Sequence, residues 1–269
     1  MNNNTAKGGV RITVVKSKRG LRLPYYTLAY YPADRFNGSR HYGEVALQES
    51  AGKERKIIAC ATVAEELRQL GVSEDDLITL EFGLHAEPDK LRERLQAQIA
   101  AIEGDADILL GYGLCSYAVV GLVSQSHRLV IPKVDDCIAL FLGSKQEHLR
   151  RLLEEPGTYY LTKGWVEAAY TTYDEFLKLK ERYGEKKAVL VAKRMLANYK
   201  RVALINTGNY LIEQYRDFAL GMAEAFDLRF EEIPGSNRLL LKILQGEWDG
   251  EFVVVDPGAE VPLSDFLDG

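Results

Sequence analysis

Short apolar segments alternate with amphipathic segments along most of the chain, and this alternation is the strongest constraint on its fold. "KIIAC" and "LITLEFG" have the pattern of buried strands, whereas "ATVAEELRQLG" and "EPDKLRERLQAQIAAIEG" have the pattern of helices that stop at a glycine. Strands that alternate with helices form right-handed βαβ units around a mostly parallel sheet. The sequence therefore predicts an α/β fold with Rossmann-like layers.

The alternation divides the chain into two halves and an N-terminal segment. Residues 55–155 contain the strand patterns "ADILLGYG" and "RLVIP", and residues 156–269 contain "RVALINTG", "LRFEEIPG" and "EFVVVDPG". Each half is predicted to form a Rossmann-like unit with a mostly parallel sheet. Residues 11–32 contain the β-branched "ITVV" and the aromatic "YYTLAYY", which predict two strands around a turn, so residues 1–54 are predicted to form a small β appendage.

Composition and charge narrow the class of protein. The chain has 269 residues, of which 46% are hydrophobic, so it can bury a sizeable core. Its net charge of −5 argues against a dedicated nucleic-acid-binding protein, which usually has a basic face. No apolar run approaches the roughly 18 residues of a membrane span, and the polar start "MNNNTAKGGV" is unlike a signal peptide. We therefore expect a cytoplasmic protein without membrane or nucleic-acid partners.

Each of the three cysteines follows a predicted strand. Cys60 ends "KIIAC", Cys115 follows "ADILLGYG" and Cys137 follows "RLVIP". The carboxyl ends of parallel strands meet at one edge of the sheet, and ligands of open α/β folds bind there. We therefore expect the three thiols to converge. An odd number of cysteines in a cytoplasmic chain does not indicate a disulfide framework.

His85, in "EFGLHAEP", follows another predicted strand. Thiolates and imidazoles are ligands that suit zinc and iron–sulfur clusters. The sequence thus predicts a site in which Cys60, Cys115, Cys137 and His85 hold an iron–sulfur cluster or zinc. No C-x-x-C spacing is present, so this prediction depends on position in the fold. The simplest alternative is three small buried residues that pack at strand ends.

Further residues beside the cysteines are candidates for the same site. Gly111 and Gly113 allow a sharp turn or a close approach to a bound group, and Tyr112 lies between them, so all three are predicted to bind the cofactor. Asp136 and His85 are the candidate acid–base residues, although Asp136 could instead cap a helix. The segment "SYAVVGLVSQ" after Cys115 has the pattern of a helix.

Several long motifs resemble the domain-of-unknown-function family numbered 1638. They are "KIIACATVAEELR", "GLHAEPDKLRERLQ", "ILLGYGLCSYAVVGL", "LVIPKVDDCIALFLGS" and "GTYYLTKGWVE", and the resemblance runs from about Lys56 to about Gly258. The chain has "SYAVVGL" where the family has a Gly-Asn-rich version. The resemblance implies a protein of anaerobic archaea and bacteria, encoded near corrinoid-dependent methyltransferases of the trimethylamine type. It implies no established reaction, and it places the cysteine motifs and the Gly-Leu-His turn at the site.

Three functional hypotheses follow. The first is a metal protein of anaerobic corrinoid and methyl-transfer metabolism, whose centre is held by the three cysteines. The second is a non-enzymatic accessory protein that binds a corrinoid, a corrinoid protein or a methyltransferase and helps its maturation or delivery. The third is a metal-free thiol enzyme in which Cys115 is the nucleophile. The sequence leaves the metal, the substrate and the oligomeric state open.

Overall fold

The computed structural model describes residues 53–169 and 171–267, and the predicted appendage of residues 1–54 lies almost entirely outside this part. The strands are Glu54–Cys60 (β1), Leu77–Leu80 (β2), Ala106–Gly111 (β3), Arg128–Pro132 (β4), Thr158–Leu161 (β5), Arg201–Asn206 (β6), Arg229–Pro234 (β7) and Phe252–Val255 (β8). The helices are Ala61–Gln69 (α1), Pro88–Ala101 (α2), Cys137–Leu142 (α3), Lys145–Glu154 (α4), Lys163–Ala168 (α5), Thr172–Tyr183 (α6), Glu185–Met195 (α7), Glu213–Phe226 (α8), Arg238–Gln245 (α9) and Ser264–Leu267 (α10). None of these helices combines the length and apolar character needed to cross a membrane.

The first sheet has the strand order β2-β1-β3-β4-β8, and its first four strands are parallel. Every residue of β3, "ADILLG", is buried, as expected for a central strand covered on both faces. Burying each large aliphatic side chain stabilises the fold by about 1.5–3 kcal/mol. The register aligns Ala59 with Gly111, so β1 and β3 end side by side.

The last strand, β8, differs from the prediction that it belongs to the second half. It pairs antiparallel with β4 of the first sheet, with Leu129 opposite Val255 and Pro132 opposite Phe252. An unpaired strand edge leaves backbone groups open, and β8 covers the edge of β4. The apolar pattern of "FVVV" predicts a strand but carries no information about which strand it pairs with.

The second sheet consists of β5, β6 and β7 in this order, and all three strands are parallel. Helix α8 packs on β6, and a second buried cluster that includes Leu204, Ala219 and Met222 lies between them. The prediction of an α/β fold with mostly parallel sheets is therefore confirmed. The exact limits of the two halves stay a prediction.

Helices α1 and α5 bring the two sheets into contact. A Cβ atom added to Gly164 of α5 would lie 2.6 Å from the Cα atom of Thr62, so only glycine permits this approach. In the same contact, Glu66 of α1 is buried at the loop that follows β6. Thr207 donates a hydrogen bond of 2.8 Å to Glu66 Oε2, and Asn209 donates a second one. Helix α1 therefore joins the end of β1 to the second sheet.

The segment after Cys115 is not the predicted helix. Cys115, Ser116 and Tyr117 have φ angles of 46°, 55° and 68°, which place three successive non-glycine residues in the left-handed region. The apolar residues that suggested a helix, Ala118, Val119 and Leu122, are buried beneath this turn. An apolar spacing of three to four residues fits a turn that packs on a core as well as it fits a helix.

Candidate functional site

The structure brings the three cysteines to one edge of the first sheet. Cys60 is the last residue of β1 and precedes α1, and Cys137 is the first residue of α3. Cys115 lies on the left-handed turn after β3. Its backbone N–H donates to the carbonyl oxygen of Asp135 at 3.0 Å, which holds the turn against the loop before Cys137. All three cysteines are buried and free of disulfides.

Cys60 and Cys137 are neighbours whose thiols differ in acidity. Contact with the Cys137 thiol holds the pKa of Cys60 well below its usual range, and His85 and Thr62 act in the same direction against the effect of burial. The Cys60 sulfur and Thr62 Oγ1 are 3.1 Å apart. The partner interaction and burial raise the pKa of Cys137. Cys60 also precedes the amino terminus of α1, where helices favour negative charge, so it is the more acidic thiol of the pair.

Cys115 differs from this pair in its acidity. Burial, and next the negative charge on Cys60, raise the pKa of the Cys115 thiol to about 12. The thiol is therefore protonated at neutral pH. The thiolate is the reactive form, so the raised pKa disfavours Cys115 as the nucleophile of a metal-free enzyme, and that hypothesis stays a prediction.

His85 lies on the 3₁₀ turn Phe82–Ala86 that follows β2, and its imidazole interacts with Cys60. Its ring centroid is 5.4 Å from that of Phe82 and 5.8 Å from that of Tyr112. Its Nε2 atom is buried and has no hydrogen-bond partner. Such an atom is costly to bury unless something binds it.

Tyr112 is fully buried beside the thiols, and its hydroxyl also has no hydrogen-bond partner. Burial, followed by the charges of the three cysteines, raises its pKa, so the phenol keeps its proton. The two glycines that flank Tyr112 lie close to atoms of neighbouring segments. A Cβ on Gly111 would lie 2.7 Å from Ala59 Cβ, and one on Gly113 would lie 2.6 Å from the Val134 carbonyl oxygen. Close packing of the strand ends thus accounts for both glycines, and their role toward a cofactor stays a prediction.

Asp136 acts as the N-cap of α3, where its Oδ1 accepts a hydrogen bond of 2.9 Å from the Ile138 N–H. Its side chain is about half exposed, and Oδ1 lies 3.7 Å from Nδ1 of His148. Asp136 therefore caps the helix, which is the simpler of the two interpretations of its sequence position. The acid–base role predicted for Asp136 stays a prediction.

The sequence reasoning missed Thr62 and Glu66. Both are buried on the face of α1 that meets the second sheet, and burial raises the pKa of Glu66. They are four residues apart, a helical spacing, so two polar residues on one face beside the core positions of "ATVAEELRQL" were the available signal.

The side chains of the site are too far apart in this structure to coordinate one metal ion together. Within residues 53–169 and 171–267, no three His, Cys, Asp or Glu side chains are spaced to hold a metal ion. The chemical types of the donors nevertheless match those of zinc and iron–sulfur sites, and one of them, His85, offers a buried atom without a partner.

Comparison with known proteins gives a family without an assigned activity. The model of the family described as "Protein of unknown function (DUF1638)" matches residues 79–244. This span includes His85, Cys115 and Cys137, and Cys60 lies before it. No curated protein and no solved structure is significantly similar to the chain. The chain belongs to the DUF1638 family.

Proposed function

We propose that this protein binds a metal centre, either zinc or an iron–sulfur cluster, through Cys60, Cys115 and Cys137. His85 is the fourth ligand or an adjacent acid–base group. The observation that carries the proposal is the burial of all three cysteines at one edge of the first sheet, close enough to alter each other's acidity, with the unpartnered Nε2 atom of His85 in the same site. A bound centre of this kind supplies Lewis-acid, thiolate-activating or electron-transfer chemistry.

The chain prepares this site in two ways. The pKa of Cys60 is lowered, so its thiol loses its proton to a metal ion more readily than an ordinary cysteine does. The His85 Nε2 atom is buried and unpartnered, so a ligand bond would remove the cost of leaving it unsatisfied. Binding also requires the donors to move closer together, and Cys115 lies on a turn rather than within a helix or strand.

The test is the metal and acid-labile sulfide content of protein purified without oxygen. Iron together with sulfide, lost in Cys60→Ser and Cys115→Ser, is the result expected for a cluster. Zinc without sulfide, lost in the same variants, is the result expected for a zinc site. Ser116→Ala is the matched control, because Ser116 is exposed on the same turn as Cys115 and should leave the metal content unchanged. Wild-type protein without metal would refute the proposal.

A metal-free thiol enzyme is the second candidate, with Cys60 in place of Cys115 as the nucleophile. The lowered pKa of Cys60, caused chiefly by Cys137, favours it. If this candidate is right, iodoacetamide at neutral pH modifies Cys60 first, and a chelator leaves the rate unchanged. Protection of Cys60 by bound metal, reversed by the chelator, would favour the metal centre instead.

The wider setting in our proposal comes from the family resemblance. We place the protein in the cytoplasm of anaerobes, where it works with a corrinoid protein or a methyltransferase, as an enzyme or as an accessory protein. Binding to a purified corrinoid protein, with no turnover of methylamines by the two together, would favour the accessory role. Absence of binding to corrinoid proteins and to free corrinoid would remove this setting while leaving the metal site in place.

A further inference from the structure

The Tyr112 hydroxyl is a buried hydrogen-bond donor without an acceptor. Tyr112 is fully buried, and no oxygen, nitrogen or sulfur atom of the described residues accepts from its Oη atom, the three cysteine sulfurs included. A phenol that has no partner in the interior could be replaced by phenylalanine at no loss to the fold. The hydroxyl therefore has no stabilising function in the protein alone.

The surroundings of Tyr112 indicate what would accept its hydrogen bond. Its ring lies beside His85, with centroids 5.8 Å apart, and next to the thiol site. Helix α1 begins at the same edge with no acidic residue in its first turn, and its N-cap residue, Cys60, makes no capping hydrogen bond through its side chain. Unsatisfied N–H groups at a helix start and a phenol donor both favour a group with negative charge.

We propose that Tyr112 Oη donates a hydrogen bond to a small external anion that completes the coordination of the metal at the cysteine site. This inference rests on the proposed metal-binding function. The anion carries an oxygen or sulfur acceptor, as in a carboxylate or a thiolate. In this arrangement the three cysteines hold the metal, His85 is the adjacent acid–base group, and Tyr112 helps to hold the external ligand in the fourth position.

The experiment uses the full chain loaded with Co²⁺, whose visible spectrum reports the ligands of the metal. Wild-type protein and Tyr112→Phe are titrated with acetate as the carboxylate and with 2-mercaptoethanol as the thiolate. We expect equal cobalt stoichiometry in both proteins and an anion affinity about tenfold lower in Tyr112→Phe, the usual scale for losing a hydrogen bond to a metal ligand. The anion that shows the larger difference identifies the source. Tyr117→Phe is the control, since Tyr117 is exposed on the neighbouring turn.

The outcomes separate this inference from the function on which it rests. Wild-type protein that binds no cobalt would refute both. Cobalt binding with no anion response, or with the same anion affinity in Tyr112→Phe, would refute only the role of Tyr112. The melting temperature of metal-free Tyr112→Phe should not fall below that of the wild type. A clear fall would show that the hydroxyl is paired within the folded protein, and this too would overturn the inference.

Discussion

Cys60, Cys115 and Cys137 have the same side chain in the same site, but their thiols differ in acidity because their neighbours differ. The Cys137 thiol, the His85 imidazole and the start of helix α1 all lower the pKa of Cys60 and so favour its thiolate form. Burial and the negative charge on Cys60 raise the pKa of Cys115 to about 12. At the scale of single residues, Cys60 is therefore the most acidic thiol of the site, and Cys115 keeps its proton near neutral pH.

This asymmetry predicts one thiolate per metal-free chain at pH 7. The far-ultraviolet absorbance of thiolates should be present at pH 7 in the wild type and in Cys115→Ser, and it should be lost in Cys60→Ser. Since the pKa of Cys60 is lowered, its signal decreases only as the pH falls through that lowered value. The signal of Cys115 should not rise until the pH approaches about 12. A signal that survives in Cys60→Ser would contradict the assignment.

At the scale of the element, the turn of Cys115, Ser116 and Tyr117 is unusual because three non-glycine residues adopt left-handed φ angles in succession. Each such residue costs about 1–2 kcal/mol relative to an ordinary conformation. Hydrogen bonds to neighbouring segments offset this cost. Leu114 N–H donates to the Val134 carbonyl at 2.8 Å, and Gly121 N–H donates to the Val261 carbonyl at 2.9 Å. The position of Cys115 thus depends on segments far from it in sequence.

The strain predicts that Ser116→Gly stabilises the protein by about 1 kcal/mol, because glycine adopts left-handed φ angles without steric cost. Ser116 is exposed, so little packing is lost. Urea unfolding of the metal-free protein measures the change. Ser126→Gly is the control, since Ser126 is exposed and lies outside the left-handed positions, and it should leave stability unchanged or lower it. Equal effects of the two substitutions would argue against strain at the turn.

At the scale of the whole molecule, the thiol site is tied to the second sheet through α1. The same helix begins directly after Cys60, packs Thr62 against Gly164, and places Glu66 within hydrogen-bond distance of Thr207 and Asn209. Glu65 of this helix also forms an ion pair with Lys163 of α5. A change in the packing of α5 therefore alters the contact with Thr62, which lies two residues after Cys60.

Gly164→Ala tests this connection. Alanine favours a helix by about 1 kcal/mol over glycine. The added Cβ atom would, however, lie 2.6 Å from backbone of α1, and overpacking of this kind costs about 1–3 kcal/mol. We expect a net loss of stability in urea and a lower metal content than in the wild type. Gly83→Ala, near His85 but with no atom within 4 Å of its Cβ position, should change neither quantity. Similar results for both variants would refute the proposed connection.

The sequence predicted those features that depend on local pattern. Apolar strands before Cys60 and Cys137 gave the parallel sheet, and the common direction of parallel strands placed both cysteines and His85 at one edge. The left-handed turn at Cys115 could not be predicted, because it depends on hydrogen bonds to Val134 and Asp135 rather than on its own residues. The antiparallel pairing of β8 depends on an open edge of β4 formed about 120 residues earlier in the chain.

The return of β8 to the first sheet has a consequence for biosynthesis. Domains begin to fold while the ribosome is still adding roughly 5–20 residues per second. The three cysteines emerge with the first four strands, whereas the strand that covers the edge of β4 emerges only after the whole second sheet has been translated. For several seconds the nascent chain therefore carries its thiols on an incomplete sheet. We expect oxidants, free metal ions and maturation factors to reach the cysteines most easily in that interval.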